Sequence, residues 1–148
     1  MKAFKIDSRI ISLDFDGVLH PSPRHLPRRD LPVFVWLPLL ERLLDPHQDV
    51  GLLVHSSWRE SFRVDEIEDM LHPMEHRFVG VTPQGGRESG IRAWRERYSP
   101  SGKCLAIDDD EELQTQSDFE VIHCDPRRGL SDLGVQLAIE RWLASSSA

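Results

Sequence analysis

The stretch Ile10-Ile11-Ser12-Leu13-Asp14-Phe15-Asp16-Gly17-Val18-Leu19 constrains this chain more than any other. An apolar run of strand type feeds two carboxylates two residues apart, and a glycine follows at once. Side chains alternate along a strand, so Asp14 and Asp16 leave it on the same side. Gly17 admits a sharp turn at positive φ and lets a bulky group come close to the backbone. Two crowded carboxylates repel unless a cation lies between them or one keeps a proton. A hard divalent cation with oxygen ligands is the simplest remedy. Asp-x-Asp-Gly is also an ordinary turn sequence, so the rest of the chain decides.

Further strand-type runs are predicted at Val50 to His55, Phe78 to Val81, Lys103 to Ile107 and Glu120 to Cys124. Helical spacing recurs in Leu37, Leu40 and Leu44, in Val64, Ile67 and Leu71, and in Ile91, Trp94 and Tyr98 behind Arg87. A last helix carries Leu133, Leu137 and Trp142, with Ser131 as its expected cap. Short apolar strands alternating with amphipathic helices predict an α/β domain with a mainly parallel sheet covered on both faces. Ligands of such folds collect beyond the carboxyl ends of the strands. Asp14 and Asp16 end the first strand, Ser56 and Ser57 the second, and Asp108 and Asp109 the fourth; Arg87 leads a helix near the same rim. Residues 1–148 read as one domain, with a core over about 9–143, a proline-rich and basic flap over about 20–31 and a fraying tail at 144–148.

A formal net charge of −7 argues against a general polyanion binder, although Arg24, His25, Arg28 and Arg29 concentrate base within the flap. No apolar run is long enough to span a bilayer, and Met1-Lys2-Ala3-Phe4-Lys5 lacks the apolar core of a secretory leader, so the cytoplasm is the expected compartment. Cys104 and Cys124 fall in strand-type runs and read as small buried hydrophobes. His72 and His76 are four apart with Pro73 between them and read as loop histidines rather than a metal pair. His55 and His123 read as core histidines, and Trp58, Trp94 and Trp142 as packing residues. Neither the Walker phosphate loop nor the dinucleotide glycine fingerprint occurs.

Strand then Asp-Phe-Asp-Gly-Val-Leu, strand then Ser, a basic residue leading a helix, and strand then Asp-Asp: in this order the chain resembles the haloacid dehalogenase-like (HAD) superfamily of phosphohydrolases and phosphotransferases. The resemblance runs from about Arg9 to Leu143. Leu53-Val54-His55-Ser56-Ser57-Trp58-Arg59 and Gly86-Arg87-Glu88-Ser89-Gly90-Ile91-Arg92-Ala93-Trp94 look closer still to small HAD domains found alone or joined to RNA-repair modules. It implies a three-layer α/β/α Rossmann-like domain with a minimal cap, and a Mg²⁺-dependent phosphomonoester hydrolase working through an aspartyl-phosphate. Asp14 matches the nucleophile and Asp16 the general acid/base, whose backbone carbonyl reaches the metal in the family. Ser56 matches the hydroxyl that donates to a phosphoryl oxygen, with Ser57 as the fallback. Arg87 matches the basic third motif; Lys103 competes but opens its strand, at the other end of the sheet. Asp108 and Asp109 match the closing acids, giving Asp14, Asp16, Asp108 and Asp109 as the metal set.

An uncapped site accepts the end of something large. The expected substrate is a phosphate at a nucleic-acid end, with Arg24 and Arg28 on neighbouring phosphates and Gly17 leaving room for the reacting group. A small phosphorylated metabolite, a phosphoprotein and a non-catalytic partner-binding role are the alternatives.

Overall fold

The computed structural model describes residues 8–23 and 33–146. Five strands, β1 (Ile10–Leu13), β2 (Gly51–Val54), β3 (Phe78–Val81), β4 (Cys104–Asp108) and β5 (Glu120–His123), form one sheet in the order β3-β2-β1-β4-β5. Every neighbouring pair runs parallel. The helices are α1 (Leu37–Leu44), α2 (Val64–Met70), α3 (Arg87–Tyr98) and α4 (Leu133–Ser145). None of the described helices is long and apolar enough to cross a membrane.

Strand alternation sorts the core into two layers. Ile11, Leu13, Leu52, Val54, Leu105 and Ile107 face the larger cluster, packed with Leu40 and Leu44 of α1, Ile67 of α2 and Ile139 and Leu143 of α4. Ile10, Leu53, Cys104 and Ala106 face the other way, onto Ile91 and Trp94 of α3 and onto Leu113 and Phe119 of the β4–β5 connection. The central strands β1, β2 and β4 are buried throughout, which is why their sequences read as continuous apolar runs. This is the three-layer, Rossmann-like α/β arrangement that the sequence implied. The basic flap, including Arg24, His25, Arg28 and Arg29, lies largely outside the described residues.

The last helix departs from expectation in two ways. Its cap is Asp132, whose Oδ1 accepts from Gly134 N–H at 2.8 Å, while Ser131 closes a preceding 3-10 turn, Gly129–Ser131. Its buried face is Val135, Ile139, Trp142 and Leu143; Leu133 is 78% and Leu137 46% exposed. Apolar residues lie on both sides of this helix, so spacing alone could not select the inner face. His123 is likewise exposed rather than in the core, because β5 is an edge strand. Cys104 and Cys124 are buried free thiols, as expected.

Strand order reverses between β1 and β4, so a crevice opens beyond their carboxyl ends. Leu13 pairs with Ile107, and Asp14 N–H donates to the Ile107 carbonyl at 3.1 Å. The register therefore sets Asp14 beside Asp108.

Candidate active site

Asp14 and Asp108 share the strand-face parity of Ile10 and Ala106, which brings both carboxylates to the α3 side of the crevice. Asp14 is 3% exposed and its Oδ1 accepts from Phe15 N–H at 2.8 Å. Asp108 is wholly buried; its Oδ1 accepts from Asp110 N–H at 3.0 Å, and its Oδ2 lies 2.8 Å from His55 Nε2. Carboxylate oxygens of Asp14, Asp108 and Asp109 all lie within 4.8 Å of one another.

So much negative charge in one buried place shifts its own protonation. Burial, joined by the Asp108 charge, pushes Asp14 up to about 9, and Arg87 offsets only part of this. Burial and Asp108 also push Asp109 up to about 6. Burial acts on Asp108 in the same direction, but the His55 hydrogen bond and charge, with Arg87, hold it down at about 2. Desolvation keeps the fully buried His55 below its ordinary value, and its Nδ1 lies 2.6 Å from Ser12 Oγ.

The donor set fits a hard divalent cation: three convergent carboxylates, two of which hold protons more tightly than usual for want of positive charge. Gly17, at φ +78°, turns the chain under this cluster, and a Cβ there would collide with the Asp109 carboxylate. The Asp16 side chain lies outside the cluster; Asp16 is counted with the metal set through its backbone carbonyl. Its Oδ1 lies 2.7 Å from His20 Nε2, and its Oδ2 accepts from Trp58 Nε1 at 3.2 Å. The His20 hydrogen bond pulls the Asp16 carboxyl below the usual range against some desolvation, and the Trp58 bond adds to this.

Arg87 opens α3 on the cleft wall, about a third exposed. Its guanidinium lies 2.8 Å from Asp108 Oδ2 and 3.9 Å from Asp14 Oδ2, and Nη1 donates to Asp110 Oδ2 at 3.3 Å. Lys103, the competitor, precedes β4 and so lies at the opposite end of the sheet. A cleft of about 560 Å³ runs over Asp14, Asp16, Asp109 and Arg87, with Ser22, Ser57 and Pro126 on its walls.

Of the two candidate serines, Ser57 lines the cleft and Ser56 does not. Ser56 is fully buried and its Oγ accepts from Trp58 N–H at 3.2 Å, capping the 3-10 turn Ser57–Glu60. Ser57, the fallback, is exposed and lines the cleft. An apolar strand does not fix which of two successive residues faces a site beyond its end. Arg24 and Arg28 lie outside the described residues.

Four participants escaped the sequence reading. His55 is buried, as its place in the strand run implies, and it also ties Ser12 to Asp108; sharing the parity of Leu53 is the available signal. Trp58 packs against the core, and its indole N–H also holds Asp16. His20 was assigned to the flap, but the Gly17 turn returns it to Asp16, as Gly17 N–H donating to the His20 carbonyl at 2.9 Å shows. Asp110 had no sequence signal beyond its place after Asp109. Arg59 adds support from below, donating to the His55 and Ser56 carbonyls at 2.9 and 2.8 Å.

Over residues 10–135 the chain matches the family described as "HAD domain in Swiss Army Knife RNA repair proteins". No curated protein and no solved structure matches it.

Proposed function

The chain belongs to the HAD domain family of Swiss Army Knife RNA repair proteins, and from that premise we propose a Mg²⁺-dependent phosphomonoester hydrolase that acts through an aspartyl-phosphate. One observation carries this reading: the approach of Asp14, Asp108 and Asp109 within 4.8 Å at the β1–β4 crevice, with Arg87 beside them. Asp14, Asp108 and Asp109 would hold the cation, which offsets the repulsion between a carboxylate nucleophile and a phosphate dianion.

An oxygen of Asp14 attacks phosphorus as the bond to the leaving oxygen breaks, and Asp16, loaded with a proton from solvent against the pull of His20 and Trp58, delivers that proton to the leaving oxygen. Asp16, now a carboxylate, takes a proton from water as the water oxygen attacks the aspartyl-phosphate; inorganic phosphate leaves and Asp14 is restored. Arg87 and the Ser57 hydroxyl are the groups on the cleft wall suited to the phosphoryl oxygens. Residues 1–148 are taken as one such domain acting in the cytoplasm.

The proposed substrate is a phosphate at a nucleic-acid end. The family's description names RNA repair, and the exposed Arg127 and Arg128 follow in sequence on Pro126, which lines the cleft. The cleft of about 560 Å³ also suits a small phosphorylated metabolite, which is the second reading. Phosphate release from oligonucleotides bearing a 3′- or 5′-phosphate, from mononucleotides and from an aryl phosphate separates them. Release that needs Mg²⁺ and Asp14, is strongest on one oligonucleotide end and weakens with salt supports end processing. Preference for a mononucleotide supports the second reading. If nothing is released and Mg²⁺ does not bind, the protein is not a phosphatase and partner binding takes its place.

A further inference from the structure

The Asp16 carboxylate is gripped at both oxygens by groups from separate parts of the chain. Gly17 reverses the backbone so that His20 returns alongside Asp16, and His20 is 7% exposed there. Phe34 N–H donates to His20 Nδ1 at 3.3 Å. A backbone amide can only donate, so the ring's proton sits on Nε2, facing Asp16 Oδ1. Phe34 reaches this place at φ 59°, the left-handed region, which a bulky aromatic seldom adopts. The Phe34 ring stacks on His20 at 5.6 Å and 12°, and on Trp58 at 5.6 Å and 30°. Trp58 also meets Phe15 edge-on at 5.4 Å, and its Nε1 holds Asp16 Oδ2. Neither ring is free to turn, and each presents one N–H to the carboxylate.

We propose that His20 and Trp58 are positioning residues that fix the orientation of the Asp16 carboxylate toward the oxygen of the departing group. The inference rests on the phosphatase reading. The two N–H groups favour the ionised carboxyl, so what they supply is direction and not acidity: the remaining lone pair of either oxygen is left to carry the transferred proton toward the cleft. That proton matters only where the departing oxygen needs it. An alkoxide is too basic to leave unprotonated, whereas 4-nitrophenoxide leaves without help. A misaligned Asp16 therefore slows alkyl phosphates selectively, and a loss of fold does not discriminate between the two.

The test compares kcat/KM for an alkyl phosphate and for 4-nitrophenyl phosphate in Mg²⁺ buffer. This ratio stops at departure of the first product and so isolates the step in question. His20→Phe keeps the ring stack and removes the N–H; it is expected to lose on the order of 10- to 100-fold on the alkyl ester and under about threefold on the aryl ester. His20→Gln, whose amide N–H can reach Asp16, is expected to recover part of the alkyl activity. Trp58→Phe acts on the other oxygen with the same selectivity, and carries the test if His20→Phe fails to fold. Equal losses on both esters, or a Gln variant no better than Phe, would overturn the inference while leaving the phosphatase intact. A wild type inert on both esters and on phosphorylated oligonucleotides would overturn the phosphatase reading, and this inference with it.

Discussion

The two ends of the sheet handle buried charge in opposite ways. At the amino end of the strands, Arg9 is 5% exposed and forms a two-point ion pair with Asp49 at 2.8 Å, while its Nη1 donates to the Leu143 carbonyl at 2.7 Å. Arg77, 2% exposed, donates to the carbonyls of Leu44, His47 and Val50 at 2.8 to 3.0 Å. Each cation there meets several acceptors, although Arg77 Nε is buried without one, and these contacts tie loops to the strand ends. At the carboxyl end, three carboxylates converge on one partly exposed guanidinium and a buried histidine, and two of them respond by gripping protons. A fold selected for stability alone would have balanced both ends. The unbalanced one gathers carboxylates that the proposed cation would neutralise.

Asp14→Asn gives the largest expected effect. Asn keeps the shape and removes the nucleophile, so phosphate release should fall at least about 10⁴-fold with the melting temperature held or raised. A variant that melts much lower would mean that Asp14 serves the fold, and the contrast between the two ends would fail.

Arg77→Met tests the opposite end. Three carbonyls lose their donor, at a cost of about 3 kcal/mol in chemical denaturation. Turnover per folded molecule should not change, since Arg77 lies at the far end of the strands from the cleft. Loss of turnover without loss of stability would show that the two ends are coupled after all.

How far the sequence revealed this division depends on the kind of contact. Asp14, Asp16, Asp108 and Asp109 were legible because strand ends and contiguous carboxylates leave a local signature. The layering was legible for the same reason, since β1, β2 and β4 are buried on both faces and read as unbroken apolar runs. Ser57 rather than Ser56 lines the cleft because the chain leaves β2 at Val54 and enters a 3-10 turn at Ser57, which takes successive side chains out of the strand's alternation. His20 was hidden because its link to Asp16 is made by the return of a tight turn. Leu133 and Leu137 misled because α4 is apolar on more than one face. Contacts made through turns and helix rotation leave no spacing rule in the sequence.

Gly17→Ala sharpens the comparison from inside the unbalanced end. A side chain at φ +78° costs about 1–2 kcal/mol, and the added Cβ must displace the Asp109 carboxylate. Mg²⁺ affinity by calorimetry should fall with it, whereas the fold away from the crevice should be unaffected. Unchanged Mg²⁺ binding would remove Asp109 from the cation site.

The pH dependence of stability separates the ends most finely, and one window isolates Asp14. Its carboxyl is raised to about 9 in the folded protein against an ordinary value of 3.8, so between these limits the native state keeps a proton that the unfolded chain has released. Stability therefore falls as pH rises through that interval, with a slope of at most about 1.4 kcal/mol per pH unit. Below pH 7 other groups intrude: Asp109 titrates near 6, and the depressed His55 favours unfolding as acid is added. The buried thiols enter only near their unfolded value of 9.0. At the amino end, Asp49 is lowered by Arg9 and is silent in this range, its contribution being lost only in acid. From pH 7 to 8, then, the metal-free protein should lose about 1 kcal/mol, read as a fall of a few degrees in melting temperature. Asp14→Asn should flatten that slope, and so should saturating Mg²⁺, which replaces the proton and binds more tightly as pH rises. Arg77→Met should lower the whole curve without changing its slope. A slope that survives in Asp14→Asn would place the extra proton elsewhere and dissolve the distinction between the two ends.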